Sequence, residues 1–203
     1  MNKIVSALLL SMVAQFAAAL PVNLVQNGDF EMAVAGPGEA PMWTYSGGDS
    51  YYGVDADYIG SPLARSGQVF YDGAAVNVGV LSQSVATTAG TSYTLEFDLQ
   101  RYAWSQSVSN LSAVYFGAGV VFFEEDTHGD WTHFTITGLI AGPGVSTLLR
   151  FENLNAFDFN QLDNISLVAS DDGDPTGVPE PATPLTVLAA VGAIALLRRR
   201  RPA

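Results

Sequence analysis

The chain has 203 residues, no cysteine, and 20 acidic against 8 basic side chains, which gives a formal net charge of −12 at pH 7. The lack of cysteine excludes disulfides, thiolate catalysis and cysteine–zinc sites. Between the two ends of the chain the only bases are Arg65, Arg101 and Arg150, whereas acids recur from Asp29 to Asp163. So acidic a surface disfavours nucleic acid as a partner, and it favours calcium or a neutral polymer such as polysaccharide.

Residues 1–19 have the pattern of a secretory signal peptide. Lys3 supplies a positive charge, residues 4–16 are mostly apolar, and the alanines at 17–19 meet the small-residue rule for cleavage. We therefore expect export and a mature chain that begins near Leu20. A buried N-terminal helix is the alternative.

Residues 20–170 have the length of one domain and a β pattern throughout. The clearest strand is 91–101, in which every second residue from Tyr93 to Leu99 is apolar. Short strands separated by turns rich in Gly, Asn and Asp predict an all-β fold, a β-sandwich. The predicted strands are 23–26, 68–71, 79–86, 91–101, 111–116, 120–124, 132–137, 147–152 and 164–168.

Several motifs along this domain occur together in a known family. They are the opening Asn-Leu-Val-Gln-Asn-Gly-Asp-Phe-Glu at 23–31, Trp43 in a Gly-rich loop, and the segments 81–98, 131–135, 148–151 and 162–167. This set resembles the galactose-binding-like jelly roll of many carbohydrate-binding modules. The resemblance implies a jelly-roll β-sandwich whose first and last strands are neighbours and often share a structural calcium ion. It does not identify a ligand, because the same fold serves many binding tasks.

Glu31 and Asp163 are the candidate metal ligands. Asp163 shares strand parity with Ile165 and Leu167, which predicts a carboxylate that points towards the core and needs a partner or a metal. The resemblance places Glu31 beside it. We therefore expect a structural Ca²⁺ held by both carboxylates and by backbone carbonyls, some from residues 66–67, since calcium takes roughly six to eight oxygens. The alternative is that Asp163 caps neighbouring backbone N–H groups.

A row of polar and aromatic side chains follows the other face of the strand 91–101. It consists of Glu96, Gln100, Tyr102 and Trp104. Glycan sites use such rows, with aromatic rings against sugar faces and with amides or carboxylates on the hydroxyl groups. We predict that these four residues line a ligand-binding cleft. The alternative is that Tyr102 and Trp104 only cover the edge of the sandwich.

Motifs for catalysis are sparse. The chain has two histidines, His128 and His133, and neither a Gly-x-Ser-x-Gly elbow nor a phosphate-binding loop. In the strand around His133, the apolar Phe134 and Ile136 take the alternate positions, which predicts a solvent-facing side chain for His133. Paired carboxylates could serve a glycosidase, but so many acids always provide some pair. We therefore predict that the protein is not an enzyme and keep a glycoside hydrolase as the third interpretation.

The C-terminal end has three parts that follow an acidic Gly/Pro linker at 171–177. As a helix, the apolar segment 184–197 would be about 20 Å long, which is short against a hydrocarbon core of roughly 30 Å. The basic block that follows it would stay on the cytoplasmic side of a membrane. A buried core helix is the alternative. The parts in order are a motif of Pro179, Glu180 and Pro181, the apolar segment, and a block of Arg198, Arg199, Arg200 and Arg201.

This order of parts over residues 178–203 closely resembles the PEP-CTERM sorting signal of Gram-negative envelope proteins. In that family an exosortase, an integral-membrane cysteine transpeptidase, is thought to recognise the Pro-Glu-Pro motif and to process the tail. The resemblance implies transient anchoring in the inner membrane, followed by a location in the outer envelope or outside the cell.

Both ends and the domain together predict an exported, envelope-sorted, non-enzymatic β-sandwich. We expect it to bind carbohydrate or to belong to an extracellular polysaccharide or biofilm matrix. The second interpretation is a structural or adhesive surface protein that has no small ligand.

Overall fold

The regular structure of the described residues is made of strands. The computed structural model describes residues 21–32, 36–38, 40–48, 51–56, 67–101, 110–125, 128–156 and 158–170. The strands in these residues are β1 (Gly36–Pro37), β2 (Thr44–Gly47), β3 (Tyr52–Ala56), β4 (Gln68–Asp72), β5 (Gly79–Ala86), β6 (Ser92–Arg101), β7 (Asn110–Phe116), β8 (Gly119–Glu125), β9 (Gly129–Ile140), β10 (Ser146–Asn155) and β11 (Asn160–Ala169).

The strands form two antiparallel sheets. One has six strands in the order β1-β3-β4-β11-β6-β9, and the other has five in the order β2-β5-β10-β7-β8. Along β10 every second residue from Thr147 to Asn155 is buried, so one face of each sheet contributes to a shared core. The predicted all-β sandwich is confirmed.

Most predicted strands are present, with ends that move by a few residues. The segment 23–26 is not a strand, but Leu24 N donates to Leu167 O at 2.8 Å, so the start of the domain still lies beside its last strand. Asn23 Oδ1 strengthens this contact by accepting from Leu167 N at 3.0 Å. The sequence pattern does not indicate β1, β2 and β3, because they are short and lie in segments rich in glycine, which normally marks loops.

Aromatic side chains join the two sheets. Phe97 of β6 meets Phe151 of β10 edge to face, with ring centroids 5.5 Å apart. Trp43 lies against Phe151 at 6.1 Å, and its indole N–H donates to Asn27 O at 3.0 Å. The buried indole therefore keeps a hydrogen-bond partner within an apolar core.

One end of the interior is polar. Arg101, only 7% exposed, points inward from the end of β6 and forms an ion pair with Glu124 of β8. Its guanidinium carbon also lies 5.8 Å from the ring centroid of Phe134. Burial lowers the pKa of Arg101 below its ordinary value, and the negative charge of Glu124 partly raises it again. Asn160, opposite Arg101 in the neighbouring strand, donates to Ser112 Oγ at 3.3 Å and extends this buried polar region.

A bulge interrupts β11 between Asp163 and Ser166, where Asn164 has a φ of 51°. Two residues of β11 lie there opposite one residue of β6. The bulge therefore changes which residues of β11 point to each face of the sheet. Leu162 faces the core before the bulge and Ile165 faces it afterwards. The predicted inward direction of Asp163 is therefore wrong: its side chain is buried, at 6% exposure, on the opposite face of the sheet from Leu162.

The predicted signal peptide at 1–19, the linker at 171–177 and the tail at 178–203, with its apolar segment 184–197, lie outside the described residues. None of the residues that are described forms a helix with the length and apolarity that a membrane crossing requires.

Candidate functional site

The five-stranded sheet exposes polar and aromatic side chains on the face that points away from the core. On β10, Leu148, Arg150 and Glu152 alternate with the buried Leu149 and Phe151, so the packing of the core fixes the direction of the first three. We call this surface the open face. The side chains that define it are Thr44, Ser46, Ser82, Tyr115, Phe123, Arg150 and Glu152.

Strand register aligns the open face into a row that crosses the whole sheet. Thr44, Ser82, Arg150, Tyr115 and Val120 stand opposite one another on five consecutive strands. Adjacent strands are about 4.8 Å apart, so the row spans about 19 Å. This length suits an extended chain better than a compact small molecule.

Arg150 and Tyr115 form the centre of the row. The guanidinium carbon of Arg150 lies 4.1 Å from the ring centroid of Tyr115, within the range of a cation–π contact. Arg150 Nε is 3.0 Å from Glu152 Oε1, which neutralises the charge locally. In the next row Phe123, at 55% exposure, presents a second aromatic ring. The surface thus combines aromatic rings, guanidinium donors and a carboxylate acceptor with little net charge.

The sequence contains a signal for part of this site. Strands at 111–116 and 147–152 are predicted. Alternation within each strand places Tyr115 on one face of the first, and Arg150 and Glu152 together on one face of the second. What the pattern does not contain is the cross-strand register that brings Tyr115 beside Arg150, since these residues are far apart in the chain.

The described part of the row predicted on β6 lies on the outer face of the six-stranded sheet. Glu96 and Gln100 share that face as predicted, and Glu96 is half-buried. Gln100 is fully buried beside Gln161, and the amide of neither has a hydrogen-bond partner among the described residues. Tyr102 and Trp104 lie outside the described residues. Ligand binding by this row stays a prediction.

Glu31 reaches the start of β4. Its Oε1 accepts from Gln68 N at 2.7 Å. A Cβ at Gly67 would collide with this carboxylate, and Gly67 has a φ of +109°, a backbone conformation that favours glycine. Gly67, which the sequence analysis linked to Glu31, therefore lies against its side chain.

Asp163 lies near the same end of β4. Leu162 pairs with Phe70, which places the following residue of β11 alongside the first residues of β4. Asp163 Oδ1 accepts from Asn164 N at 2.7 Å, the backbone capping that was the alternative to metal binding. In the part of the chain that the structure describes, no group of three or more His, Cys, Asp or Glu side chains could hold a metal. A calcium ion here would need backbone carbonyls in addition to the two carboxylates.

A second polar cluster surrounds Asp98, which the sequence did not single out. Its Oδ1 lies 2.8 Å from His133 Nδ1, and its Oδ2 accepts from Asn164 Nδ2 at 2.8 Å. His133 faces solvent as predicted, with 54% of its side chain exposed. Thr135 Oγ1 is 3.4 Å from His133 Nε2, a long contact on an exposed strand. This arrangement offers no activated nucleophile, because the hydroxyl is neither close to the base nor shielded from water.

Comparison with known proteins places the fold. No family model matches the chain, and no curated protein matches it. Among solved structures, TmCBM61 in complex with β-1,4-galactotriose superposes with a TM-score of 0.54 and 21% identity, covering 73% of this chain and 99% of that one. A CBM4 structure gives a TM-score of 0.50 and 16% identity, covering 71% and 99%.

The fold is the jelly-roll β-sandwich of carbohydrate-binding modules. The same jelly roll matches part of a larger protein, the enzymatically active domain of tailspike protein 4 from bacteriophage CBA120. That match has a TM-score of 0.53 and 12% identity, and it covers 73% of this chain but only 21% of the tailspike. At these identities the likeness shows the jelly roll alone and not a ligand.

The contact between Glu31 and Gly67 can be tested by Gly67→Ala. The new Cβ would sit in a left-handed backbone conformation and displace the carboxylate, so we expect a loss of about 1–3 kcal/mol in the free energy of unfolding, measured by urea titration. Gly142→Ala is the matched control, because its added Cβ would have no atom within 4 Å apart from those of its chain neighbours. A loss at Gly67 no greater than at Gly142 would contradict the described geometry.

Proposed function

We propose that this protein is a non-enzymatic carbohydrate-binding β-sandwich that binds polysaccharide through its open face and acts in an extracellular polysaccharide or biofilm matrix. The observation that carries the proposal is the stacked pair of Arg150 and Tyr115 between Ser82 and Val120, on an accessible face of a jelly roll. Aromatic rings pack against the apolar faces of sugars, while the guanidinium and carboxylate serve their hydroxyl groups.

The charge of the open face favours a neutral glycan. Arg150 is paired with Glu152, so the row offers no surplus positive charge to an acidic polymer. The remainder of the domain is strongly acidic and would repel one. A solved neighbour of the same fold binds β-1,4-galactotriose, a neutral oligosaccharide. Neutral β-linked glycans are therefore the first ligands to test.

Two sets of variants distinguish the open face from the row predicted on β6. A glycan array with the full chain selects the ligand, and titration calorimetry then compares Tyr115→Ala and Arg150→Ala with Glu96→Ala and Trp104→Ala. Loss of a buried aromatic or arginine contact costs about 1–3 kcal/mol, so the first two changes should weaken binding about tenfold or more. The other two should leave the affinity within about twofold.

The reverse pattern, with Trp104→Ala abolishing binding and Tyr115→Ala having no effect, would move the site to the row on β6. No binding to any glycan on the array would favour a structural or adhesive role. Shortening of a bound glycan during incubation would contradict the non-enzymatic proposal and raise the glycoside hydrolase.

We also propose a structural Ca²⁺ held by Glu31, Asp163 and backbone carbonyls. Hard carboxylate and carbonyl oxygens are the ligands that calcium prefers. Gln68 N holds the Glu31 carboxylate at the start of β4, and the pairing of β11 with β4 carries Asp163 towards the same place. The ion would neutralise two carboxylates and tie the start of the domain to its last strand.

Removal of calcium should lower the thermal unfolding midpoint. With calcium at about a hundred times its dissociation constant, the expected drop on adding EDTA is about 5–10 °C for a domain of this size. Glu31→Gln should abolish the difference between the two conditions. The control Asp130→Asn, at an exposed position of β9, should preserve it. An identical midpoint with calcium and with EDTA would eliminate the calcium site.

The chain ends support a proposal about location. We propose that residues 1–19 direct export and that residues 178–203 hold the chain briefly in the inner membrane until an exosortase-type enzyme recognises Pro179, Glu180 and Pro181. The apolar segment 184–197 would be short for a permanent span, at about 20 Å. Such a segment suits processing better than residence, so the final location would be the outer envelope or outside the cell.

Mass spectrometry of the protein from envelope and extracellular fractions tests this processing. We expect mature chains that begin near Leu20 and lack the block from Arg198 to Arg201. Glu180→Gln should leave more chain with an intact tail in the inner membrane, because the recognised motif is altered. Envelope material that retains Arg201 would contradict the proposal.

A further inference from the structure

The edge of the six-stranded sheet at β9 has features of a pairing surface. Among the strands that the structure describes, β9 is the last one of its sheet, and it spans twelve residues, Gly129–Ile140. An edge strand presents unpaired backbone N–H and C=O groups, and proteins usually protect such edges with lysine, other charges, proline, β-bulges or short length. The pairing of β9 with β6 has a register shift on each side of the segment from Thr132 to Ile136, but the side chains of β9 offer little protection. From Trp131 to Ile140 the strand has no Asp, Glu, Lys, Arg or Pro. This long edge therefore has few of the usual side-chain protections.

The interior side of this edge is incompletely covered. Phe134 and Ile136 of β9, with Val121 and Phe122 of β8, pack on the core but stay partly exposed. Phe134 contacts Phe122 at 4.7 Å and stacks on Phe97 at 5.3 Å between ring centroids. Apolar side chains half-open to water at a strand edge gain from a further strand that covers them.

The straight part of β9 is complementary to itself. Its pairing with β6 runs without a register shift from Thr132 to Ile136. In an antiparallel pair of two copies centred on Phe134, the two Phe134 rings stand opposite each other. Thr132 then faces Ile136, and His133 faces Thr135. Aromatic and β-branched cross-strand pairs of this kind stabilise a sheet, and no like charges meet.

Charge favours a second copy as the occupant. The domain is acidic, so two copies repel each other over most of their surfaces. The ten-residue stretch from Trp131 to Ile140 is uncharged, so pairing there avoids direct contact between like charges of two acidic copies. We propose that β9 pairs antiparallel with β9 of a second copy of this chain, in a register centred on Phe134, and joins the two six-stranded sheets into one. The pairing does not depend on the proposed glycan site, which lies on the other sheet.

Cysteine cross-linking of the full chain tests this register, because the natural chain has no cysteine. His133→Cys and Thr135→Cys chains are mixed, oxidised and analysed by non-reducing electrophoresis. Directly opposite Cβ atoms lie about 4.5–5.5 Å apart and diagonal ones about 7–8 Å, so the mixture should form several times more covalent dimer than either variant alone. Ser84→Cys, exposed on the interior strand β5 of the other sheet, is the control and should not cross-link.

His133→Cys removes the contact between His133 and Asp98, so a second pair of variants that keeps this contact is also tested. Thr132→Cys mixed with Ile136→Cys samples the same register on the other face of β9, and circular dichroism confirms that each variant folds. Preferential dimer in either mixed pair supports the proposal. Failure of both mixtures to form dimer overturns it. Dimer from Thr135→Cys alone at the level of its mixture, or from Ser84→Cys, also overturns it by indicating another register or random collision.

Discussion

The packing of the two sheets centres on the contact between Phe97 and Phe151, which joins β6 of one sheet to β10 of the other. Each ring occupies a fixed place in a strand whose side chains alternate, so its position determines the direction of its neighbours. Arg150 and Glu152 point outward because Phe151 between them points inward. The aromatic core therefore sets the positions of the polar groups on the open face, although it lies on the other side of the sheet.

Two of the few arginines of the domain have similar partners but lie in different surroundings. Arg101 is inside the sandwich with Glu124 and the ring of Phe134, whereas Arg150 lies on the open face with Glu152 and the ring of Tyr115. Each guanidinium has an acid and an aromatic ring as partners. For Arg101, desolvation lowers the pKa, and the charge of Glu124 offsets only part of that effect. For Arg150 they balance the charge and place the guanidinium over the ring of Tyr115 on the open face.

Much of the sandwich could be predicted from local patterns. The alternation at 91–101 and 79–86 predicts β6 and β5 closely, because a buried face requires apolar residues at every second position. The pattern does not indicate β1 to β3, where pairing with neighbouring strands outweighs weak local preference. Strand alternation with Ile165 also predicts the wrong direction for Asp163. The bulge at Asn164 inserts an extra residue, and no pattern in the neighbouring sequence indicates it. The open face required the register of β7 with β10, a long-range property that depends on the whole sheet.

If the open face binds a polysaccharide as proposed, the position of β9 determines how a paired molecule would present that face. β9 belongs to the six-stranded sheet, while the open face belongs to the five-stranded sheet, so strand pairing at that edge would leave both copies of the open face uncovered. Two such faces on one rigid body could engage one long polysaccharide, or two separate ones, at the same time. The second contact would then be intramolecular, and avidity can exceed the affinity of a single face by about 10²–10⁴ without any new contact. A weakly binding module would in this way become a cross-linker of the matrix around it.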